Sequence, residues 1–168
     1  MTTLLTAEQC GLTIRRLAHQ LLEENSGQEG LVLIGLQPRG IYISDRLAEA
    51  CRSLTSSPID YGKLDITFYR DDFRKEFHNA NNTDIPFSIE NRKLVLIDDV
   101  LFTGRTVRAA LEALQDFGRP SQVKLCVLVN RRFKRELPIQ PDYCGLSIDT
   151  RETEKVKVNA LTGEVCIY

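Results

Sequence analysis

Two adjacent carboxylates, Asp98 and Asp99, precede a Thr-Gly-Arg-Thr loop at residues 103–106 within one short stretch of the sequence. Ionised carboxylates only accept hydrogen bonds, so they suit sugar hydroxyl groups or a hydrated magnesium ion. The glycine lets backbone N–H groups close around a small anion, and the threonine hydroxyls and the N-terminus of a following helix strengthen that site. Carboxylates for hydroxyl groups beside a loop for a phosphate predict a ligand of the phosphorylated ribose type.

Each motif alone has a simpler interpretation. An acid pair after an aliphatic strand also occurs in the Walker B strand of nucleoside triphosphatases, but that class requires a G-x-x-x-x-G-K-[ST] loop, which this sequence lacks. A purely structural pair is disfavoured because two like charges side by side are costly without a cation or hydrogen-bond donors. The T-G-x-T loop by itself could be an ordinary helix cap. The fixed spacing of strand, acid pair and loop favours a ligand site.

These motifs lie among aliphatic runs that alternate with amphipathic helical segments. Runs of branched aliphatic residues predict buried strands, and apolar residues on one helical face predict helices. The predicted strands are 31–36, 59–69, 93–98 and 123–129. The first predicted helix follows Thr6, and Gln9 completes its capping box. Two further helices are predicted at 41–54 and 107–117, and Gly118 follows the second of them. The alternation predicts an α/β fold, a single domain over residues 1–168 with a mostly parallel twisted sheet flanked by helices.

Three polar loops follow three of the predicted aliphatic strands. In a parallel sheet of this kind, ligands bind beyond the carboxyl ends of the strands, so the loops at 37–40, 98–106 and 130–138 are expected to meet at one edge. Arg39 suits bidentate contact with phosphate oxygens, and Gly40 lets the backbone approach a ligand closely. A second phosphate-binding position is therefore predicted in the first loop, although Arg39 as a solvated turn residue is the simpler alternative.

Composition excludes several other classes of protein. The formal net charge of −1 does not indicate a nucleic-acid binder, so any such role must depend on a local patch. Five cysteines without a C-x-x-C pair, and only two histidines, His19 and His78, argue against a zinc site. The cysteines indicate a reducing compartment, and with no signal-like or membrane-length apolar segment the expected location is the cytoplasm.

The stretch LVLIDDVLFTGRT resembles the phosphoribosyl pyrophosphate (PRPP) motif of type I phosphoribosyltransferases. Four further stretches, LIGLQPRGIYISDRLAE, LDITFYRDDF, TVRAALEALQDFGRPSQVKL and RELPIQPDYCG, resemble the family of bifunctional pyrimidine-operon attenuators and uracil phosphoribosyltransferases. The resemblance covers residues from about 5 to 168, and LDITFYRDD is its most diagnostic element. It implies a type I phosphoribosyltransferase fold with a small hood and a flexible lid loop.

The resemblance implies transfer of ribose 5-phosphate from PRPP to uracil, giving UMP and pyrophosphate. Mg²⁺ would bind the pyrophosphate of the substrate, and Asp98 and Asp99 are possible further ligands of the ion. Asp98 and Asp99 would contact the ribose hydroxyls and stabilise an oxocarbenium-like transition state. The implied PRPP-binding residues are Arg39, Gly40, Arg70, Val100, Leu101, Phe102, Thr103, Gly104, Arg105 and Thr106, and the implied base pocket comprises Asn130, Arg131 and Ile148. The polar segment from Arg70 to Ser88 fits a lid that excludes water.

The same family binds pyrimidine-operon messenger RNA, with UMP or UTP as co-effectors, and its members assemble as homodimers or larger homo-oligomers. RNA binding requires basic residues that track phosphates. The candidates are Arg15, Arg16, His19, Arg132, Lys134 and Arg135. Gln140 and Leu146 are uncharged where basic residues are expected, and Asn130 stands where aspartate is expected.

Two alternatives remain open at this stage. One alternative is a UMP-sensing RNA-binding regulator with little catalysis, and the other is a salvage phosphoribosyltransferase for another base. Asn130 keeps the second alternative open, because an amide gains hydrogen-bond donors that a carboxylate lacks. The isomer of the Gln37–Pro38 bond is also open, although trans is the commoner form.

Overall fold

A five-stranded parallel sheet forms the centre of the protein, as the sequence predicts. The computed structural model describes residues 1–25, 30–69 and 82–168. Its elements in chain order are β1 (Thr2–Leu5), α1 (Ala7–Glu24), β2 (Val32–Gln37), α2 (Ile41–Leu54), β3 (Asp60–Asp65), a 3₁₀ turn (Thr67–Tyr69), β4 (Lys93–Leu101), α3 (Arg105–Leu114), β5 (Gln122–Arg131), β6 (Tyr143–Ile148), β7 (Val156–Val158) and β8 (Val165–Ile167). The strand order in the central sheet is β3-β2-β4-β5-β6, and every neighbouring pair is parallel.

Helices cover both faces of the central sheet. On one face α1 and α2 bury residues such as Leu17 and Leu47 against β2, β4 and β5. On the other face α3 buries Val107 and Ala110 against the same strands and β3. Because both faces are buried, β2, β4 and β5 each contain a continuous aliphatic run rather than an alternating pattern.

A second, smaller sheet corresponds to the predicted hood. It has the strand order β1-β8-β7, and both of its pairings are antiparallel. Val156 of β7 and Val165 of β8 are buried in the same apolar cluster as α1 and α2. The Gly163 turn before β8 lies so close to α2 that a Cβ atom there would be 2.6 Å from the Tyr42 hydroxyl. The small sheet is thus packed directly on the helix that follows the first predicted ligand loop.

The start of α1 matches its predicted capping box. The Thr6 side chain accepts a hydrogen bond from the backbone N–H of Gln9, and the Gln9 side chain accepts one from the N–H of Thr6. These reciprocal bonds satisfy two backbone donors that the first helical turn leaves without partners. Farther along the helix, the predicted inward positions Cys10, Ile14 and Leu21 are buried.

We expect Gly11→Ala to stabilise the protein. Gly11 lies inside α1, and among the described residues no heavy atom is within 4 Å of the position that its Cβ would occupy. Alanine loses less backbone entropy than glycine in a helix, so the free energy of unfolding should rise by about 0.5–1 kcal/mol. Urea denaturation of both proteins measures this change. A lower midpoint for the variant would contradict the open surroundings of this position.

Three local predictions need correction. The third strand ends at Asp65 rather than at residue 69. The Asp65 carboxylate accepts hydrogen bonds from both the N–H and the hydroxyl of Thr67, where the 3₁₀ turn begins. Phe68 lies in this turn and is exposed. Strand β4 continues through the acid pair to Leu101. Helix α3 ends at Leu114, before residues 115–117, whose N–H groups bond three residues back, so Gly118 is not adjacent to the helix end. The Gln37–Pro38 bond, whose isomer the sequence leaves open, is cis.

All five cysteines are free thiols, and four of them are buried: Cys10, Cys51, Cys126 and Cys166. Within the described ranges, no helix has both the length and the apolar character required to cross a membrane.

Candidate active site

The three predicted loops meet at the carboxyl edge of the central sheet. Gly40 fits so tightly against β4 that a Cβ atom there would be 2.7 Å from the carbonyl oxygens of both Ile97 and Leu36. On the other side, the backbone N–H of Glu136 donates to the carbonyl of Thr103 at 3.0 Å. The predicted convergence is therefore confirmed, with the acid-pair strand in the middle.

The acid pair is almost completely buried. Asp98 is 5% exposed and Asp99 8% exposed. An oxygen of Asp98 accepts the backbone N–H of Asp99 at 2.9 Å, and an oxygen of Asp99 accepts that of Val100 at 2.7 Å. These donors are local backbone groups, and the two carboxyl groups also hydrogen-bond to each other.

Burial controls the ionisation of this pair. Loss of water raises the pKa of Asp98 well above its usual value, and the adjacent charge of Asp99 raises it further. Burial also raises the pKa of Asp99, while the guanidinium of Arg39 acts in the opposite direction on both groups. A cation or several hydroxyl donors would stabilise the ionised form of this pair, which is the chemistry predicted from the sequence.

The loop at residues 102–104 leads the chain into α3. Gly104 has φ 95°, a conformation that side-chain-bearing residues rarely adopt, and it packs on the side chains of Leu137 and Ile139. Gly104 is the N-cap and offers no side-chain cap, whereas the Thr103 hydroxyl accepts the N–H of Arg105, the first helical residue, at 3.3 Å. The N–H groups and the dipole of this helix end suit a phosphate group.

Two predicted PRPP-binding residues contribute no side chain to this loop. Val100 and Leu101 belong to β4 rather than to the loop, and their side chains pack against the two apolar clusters. Leu101 is buried, whereas Val100 is partly exposed. Phe102, Thr103, Arg105 and Thr106 remain partly or fully exposed around Gly104.

Arg131, predicted in the base pocket, is a buried residue that supports the loop. It is 5% exposed, and its guanidinium donates to the Thr150 hydroxyl at 2.7 Å and to the Arg151 carbonyl at 3.1 Å. The same guanidinium lies 3.7 Å from the centroid of the Phe102 ring. These contacts commit Arg131 to the protein, so its side chain supports Phe102 rather than presenting free donors.

Asn130 and Ile148 lie at the ends of β5 and β6. The amide oxygen of Asn130 accepts a hydrogen bond from Arg135 at 2.5 Å, and its amide nitrogen is 3.4 Å from the Ser147 hydroxyl. The side chain of Ile148 packs on the core, and its carbonyl accepts the N–H of Arg132 at 3.1 Å. Asn130 is thus linked to the Phe102 carbonyl through Arg135, whereas the Arg131 guanidinium lies against the Phe102 ring itself.

An open cleft of about 590 Å³ separates the first loop from the hood. It is lined by Pro38, Arg39, Tyr42, Asp99, Val156 and Val158. Sequence reasoning identified Arg39 and Asp99 but missed Tyr42 and β7. Tyr42 directly follows the Arg-Gly-Ile run and could have been found as the next residue of that helix, whereas the short β7 strand carries no motif.

Arg70 lies outside the described residues, as does most of the predicted lid from Arg70 to Ser88. Its predicted role in PRPP binding stays a prediction.

The predicted RNA-binding residues divide into two groups. Arg15, Arg16 and His19 are exposed on α1, although Arg16 also donates to the backbone carbonyl of Gly145 at 2.7 Å. In the loop after β5, the charged groups are engaged within the protein. Arg132 forms a bidentate pair with Asp149 (2.7 and 2.6 Å), Lys134 pairs with Glu152 at 2.8 Å, and Arg135 is half-buried and directed towards Asn130.

Sequence comparison relates this arrangement to known proteins. The profile of the phosphoribosyl transferase domain matches residues 1–161. The chain is 47% identical over 149 residues to the Bifunctional protein PyrR of Bacillus subtilis, which covers 86% of this chain and 82% of the relative. It is 48% identical over 158 residues to the Bifunctional protein PyrR of Deinococcus deserti, covering 93% of this chain and 86% of that protein.

Solved structures with the same fold are more distant in sequence. A hypoxanthine-guanine phosphoribosyltransferase from Bacillus anthracis superposes with a TM-score of 0.70 at 18% identity, covering 88% of this chain and 82% of that one. A hypoxanthine phosphoribosyltransferase from Staphylococcus aureus gives 0.71 at 22% identity, covering 91% and 80%. At these identities the likeness concerns the fold, which is that of the type I phosphoribosyltransferases.

Proposed function

This chain belongs to the phosphoribosyl transferase domain family, among the bifunctional PyrR proteins, and we propose that it transfers ribose 5-phosphate from PRPP to uracil. The observation that carries the proposal is the buried pair Asp98 and Asp99 beside the N-terminus of α3, whose N-cap residue is Gly104. The pair supplies acceptors for ribose hydroxyls, and the helix end supplies donors for the 5-phosphate.

In this reaction the bond from ribose C1 to the pyrophosphate oxygen breaks, and a bond from C1 to uracil N1 forms. The N1 proton is released, and pyrophosphate leaves with the electron pair of the broken bond. Positive charge develops on the ribose ring as the leaving group departs. Carboxylates held at the ribose would stabilise that charge, and their fixed position in β4 avoids reorganisation during the reaction.

Arg39 is proposed to bind the pyrophosphate. It is exposed on the loop that Gly40 holds against β4, and it lines the same cleft as Asp99. Its guanidinium is close enough to influence the ionisation of both aspartates. A group placed there could offset negative charge on the leaving group without contacting the ribose.

Type I phosphoribosyltransferases use PRPP together with Mg²⁺, and the residues of this site fit that ion. Asp98 and Asp99 are hard oxygen ligands, and burial disfavours their shared negative charge unless a cation is near. We propose that these two residues contact the ion directly or through its water molecules. When bound, Mg²⁺ would neutralise charge on the pyrophosphate.

The site is tested by measuring UMP formation from PRPP, Mg²⁺ and uracil, with hypoxanthine as the competing base. Robust transfer to uracil supports the proposal. Transfer to hypoxanthine instead would assign a different salvage reaction. UMP binding without turnover would favour the regulator that senses UMP.

We also propose that the chain regulates pyrimidine genes by binding messenger RNA in response to UMP or UTP. The exposed residues Arg15 and His19 on α1 are the strongest basic candidates, because Arg132 and Lys134 are already paired with acids. Arg15→Gln and His19→Gln should each weaken binding of a pyrimidine-operon leader RNA. Arg15→Gln should also make the slope of log K against log salt concentration shallower by about one, because one phosphate contact is lost. Mobility shifts at several salt concentrations measure both effects.

Lys134→Gln is the matched control, since this lysine pairs with Glu152. Equal losses for the α1 variants and the control would place the RNA elsewhere.

A further inference from the structure

A segment after β5, residues 135–139, lies directly behind the loop that is proposed to hold the 5-phosphate. We define this segment as the backing segment. Its Leu137 and Ile139 side chains contact Gly104, and its Glu136 side chain pairs with Arg105 at 2.6 Å. Every residue of the loop from Phe102 to Arg105 is thereby in contact with the backing segment or bonded to it.

The backing segment binds two successive carbonyl groups of the phosphate loop. Arg135 donates to the Phe102 carbonyl, and the backbone N–H groups of Glu136 and Leu137 donate to the Thr103 carbonyl at 3.0 and 3.3 Å. In a planar trans peptide the N–H group points opposite to the carbonyl. Holding these two carbonyls therefore turns the N–H groups of Thr103 and Gly104 away from the backing segment.

The third carbonyl in the series has a partner within α3. The carbonyl of Gly104 accepts the N–H of Arg108 at 3.0 Å. With three consecutive carbonyls occupied, the loop cannot rotate its peptide groups without breaking hydrogen bonds. A loop fixed in this way presents amide donors to an anion without the entropic cost of ordering them on binding.

Arg135 is the side chain that links this loop to the rest of the site. One of its terminal nitrogens donates to the Phe102 carbonyl. The other donates to the Asn130 amide oxygen at 2.5 Å. The backbone turns towards the site at Lys134, which has φ 66°. Burial lowers the pKa of Arg135 from its ordinary value. Arginine stays protonated in proteins, so the bridging group is a guanidinium.

We propose that Arg135 is a positioning residue for the phosphate loop, bridging Phe102 and Asn130 so that the loop is preorganised for the 5-phosphate of the substrate. The inference rests on the proposed function of the loop. It differs from the sequence-based prediction, which placed Arg135 among the RNA-binding residues.

The first test is isothermal titration calorimetry with ribose 5-phosphate, using the full chain. Arg135→Gln is expected to weaken binding by about tenfold, since both bridging hydrogen bonds are lost. Arg132→Gln is the matched control: it removes a guanidinium from the same loop, but that group pairs with Asp149 on the surface. Equal affinity of Arg135→Gln and Arg132→Gln for ribose 5-phosphate would overturn the proposal.

Arg135→Lys separates positioning from simple charge. Lysine keeps the positive charge but cannot reach two acceptors with a fixed fork, so its affinity should stay close to that of Arg135→Gln. Full recovery of binding with lysine would overturn the positioning role. The lysine variant also serves if Arg135→Gln fails to fold.

In the transfer assay, Arg135→Gln should raise the KM for PRPP by about tenfold and leave the KM for uracil unchanged. A wild-type protein that binds ribose 5-phosphate but forms no UMP would contradict the proposed function while leaving the binding comparison valid. A variant that loses RNA binding but keeps its affinity for ribose 5-phosphate would return Arg135 to the RNA surface and overturn the inference.

Discussion

Asp98→Asn is expected to abolish transfer and, at the same time, to stabilise the folded protein at neutral pH. The loss of activity follows from removing an acceptor and a negative charge beside the ribose, an electrostatic contribution that typically amounts to about 10²–10³-fold in rate. The gain in stability follows from burial. An ionised Asp98 is 5% exposed and adjacent to a second buried carboxylate, so the neutral amide removes a like-charge repulsion.

The pH dependence of this stabilisation has a defined sign. The pKa of Asp98 is raised in the folded state, so between the unfolded value of about 4 and the folded value the folded protein holds more protons. The wild-type protein therefore loses stability as pH rises through this range. The Asp98→Asn protein lacks this titrating group. The difference in the free energy of unfolding between the variant and the wild type should therefore be small near pH 4, grow with pH, and become constant above the folded pKa.

Urea denaturation at several pH values and the uracil transfer assay measure the two effects together. Near pH 7 the Asp98→Asn protein should have a higher free energy of unfolding than the wild type. Glu8→Gln, which removes an exposed carboxylate from the first turn of α1, is the control and should change neither activity nor the pH profile in this way. If the Asp98→Asn protein were inactive but less stable than the wild type at every pH, burial of the charged pair would not destabilise the folded protein.

Gly40→Ala is expected to impair both stability and catalysis. The backbone of Gly40 is in the right-handed helical region, which alanine adopts freely, so the effect would be steric. Its added methyl group would lie 2.7 Å from the carbonyl oxygens of Leu36 and Ile97 and 3.1 Å from Cα of Asp98. These are backbone atoms of the strands, so the loop or β4 must shift.

Overpacking of this kind costs about 1–3 kcal/mol, and a displacement of about 1 Å between Arg39 and the acid pair can reduce the rate by about 10²-fold. Chemical denaturation and kcat/KM for PRPP measure the two losses. Gly11→Ala is the matched control, since the same change in open space should stabilise the helix and leave transfer unchanged. If Gly40→Ala retained wild-type kinetics, close packing of the first loop on β4 would not be needed for transfer.

Much of this site could be predicted because it is local in the chain. Strand, acid pair, glycine and helix follow one another between residues 93 and 114, so their spacing alone specifies what each must do. The meeting of the three loops could also be predicted, because parallel strands with covered faces end at one edge. The capping box of α1 is equally local and was identified at the correct residues.

Contacts between distant parts of the chain could not be predicted in this way. Arg135 and Phe102 are 33 positions apart, so the sequence does not indicate whether this arginine faces the solvent or the phosphate loop. The same applies to Arg132 and Lys134, whose charges are neutralised by acids 17 and 18 positions away. A run of basic residues in sequence is therefore not a basic surface until the positions of its partners are known.

The amino-acid sequence by itself determined the α/β fold, the order of strand, acid pair and phosphate loop, and the family of the protein, because hydrophobic period and motif spacing are properties of neighbouring residues. Only the tertiary structure decided the near-complete burial of Asp98 and Asp99, the placement of Tyr42 and β7 on the cleft, and the inward direction of Arg135. These features depend on the packing of segments that are remote in the chain. Ionisation and loop rigidity follow from that packing, since both depend on which groups replace water around a charge.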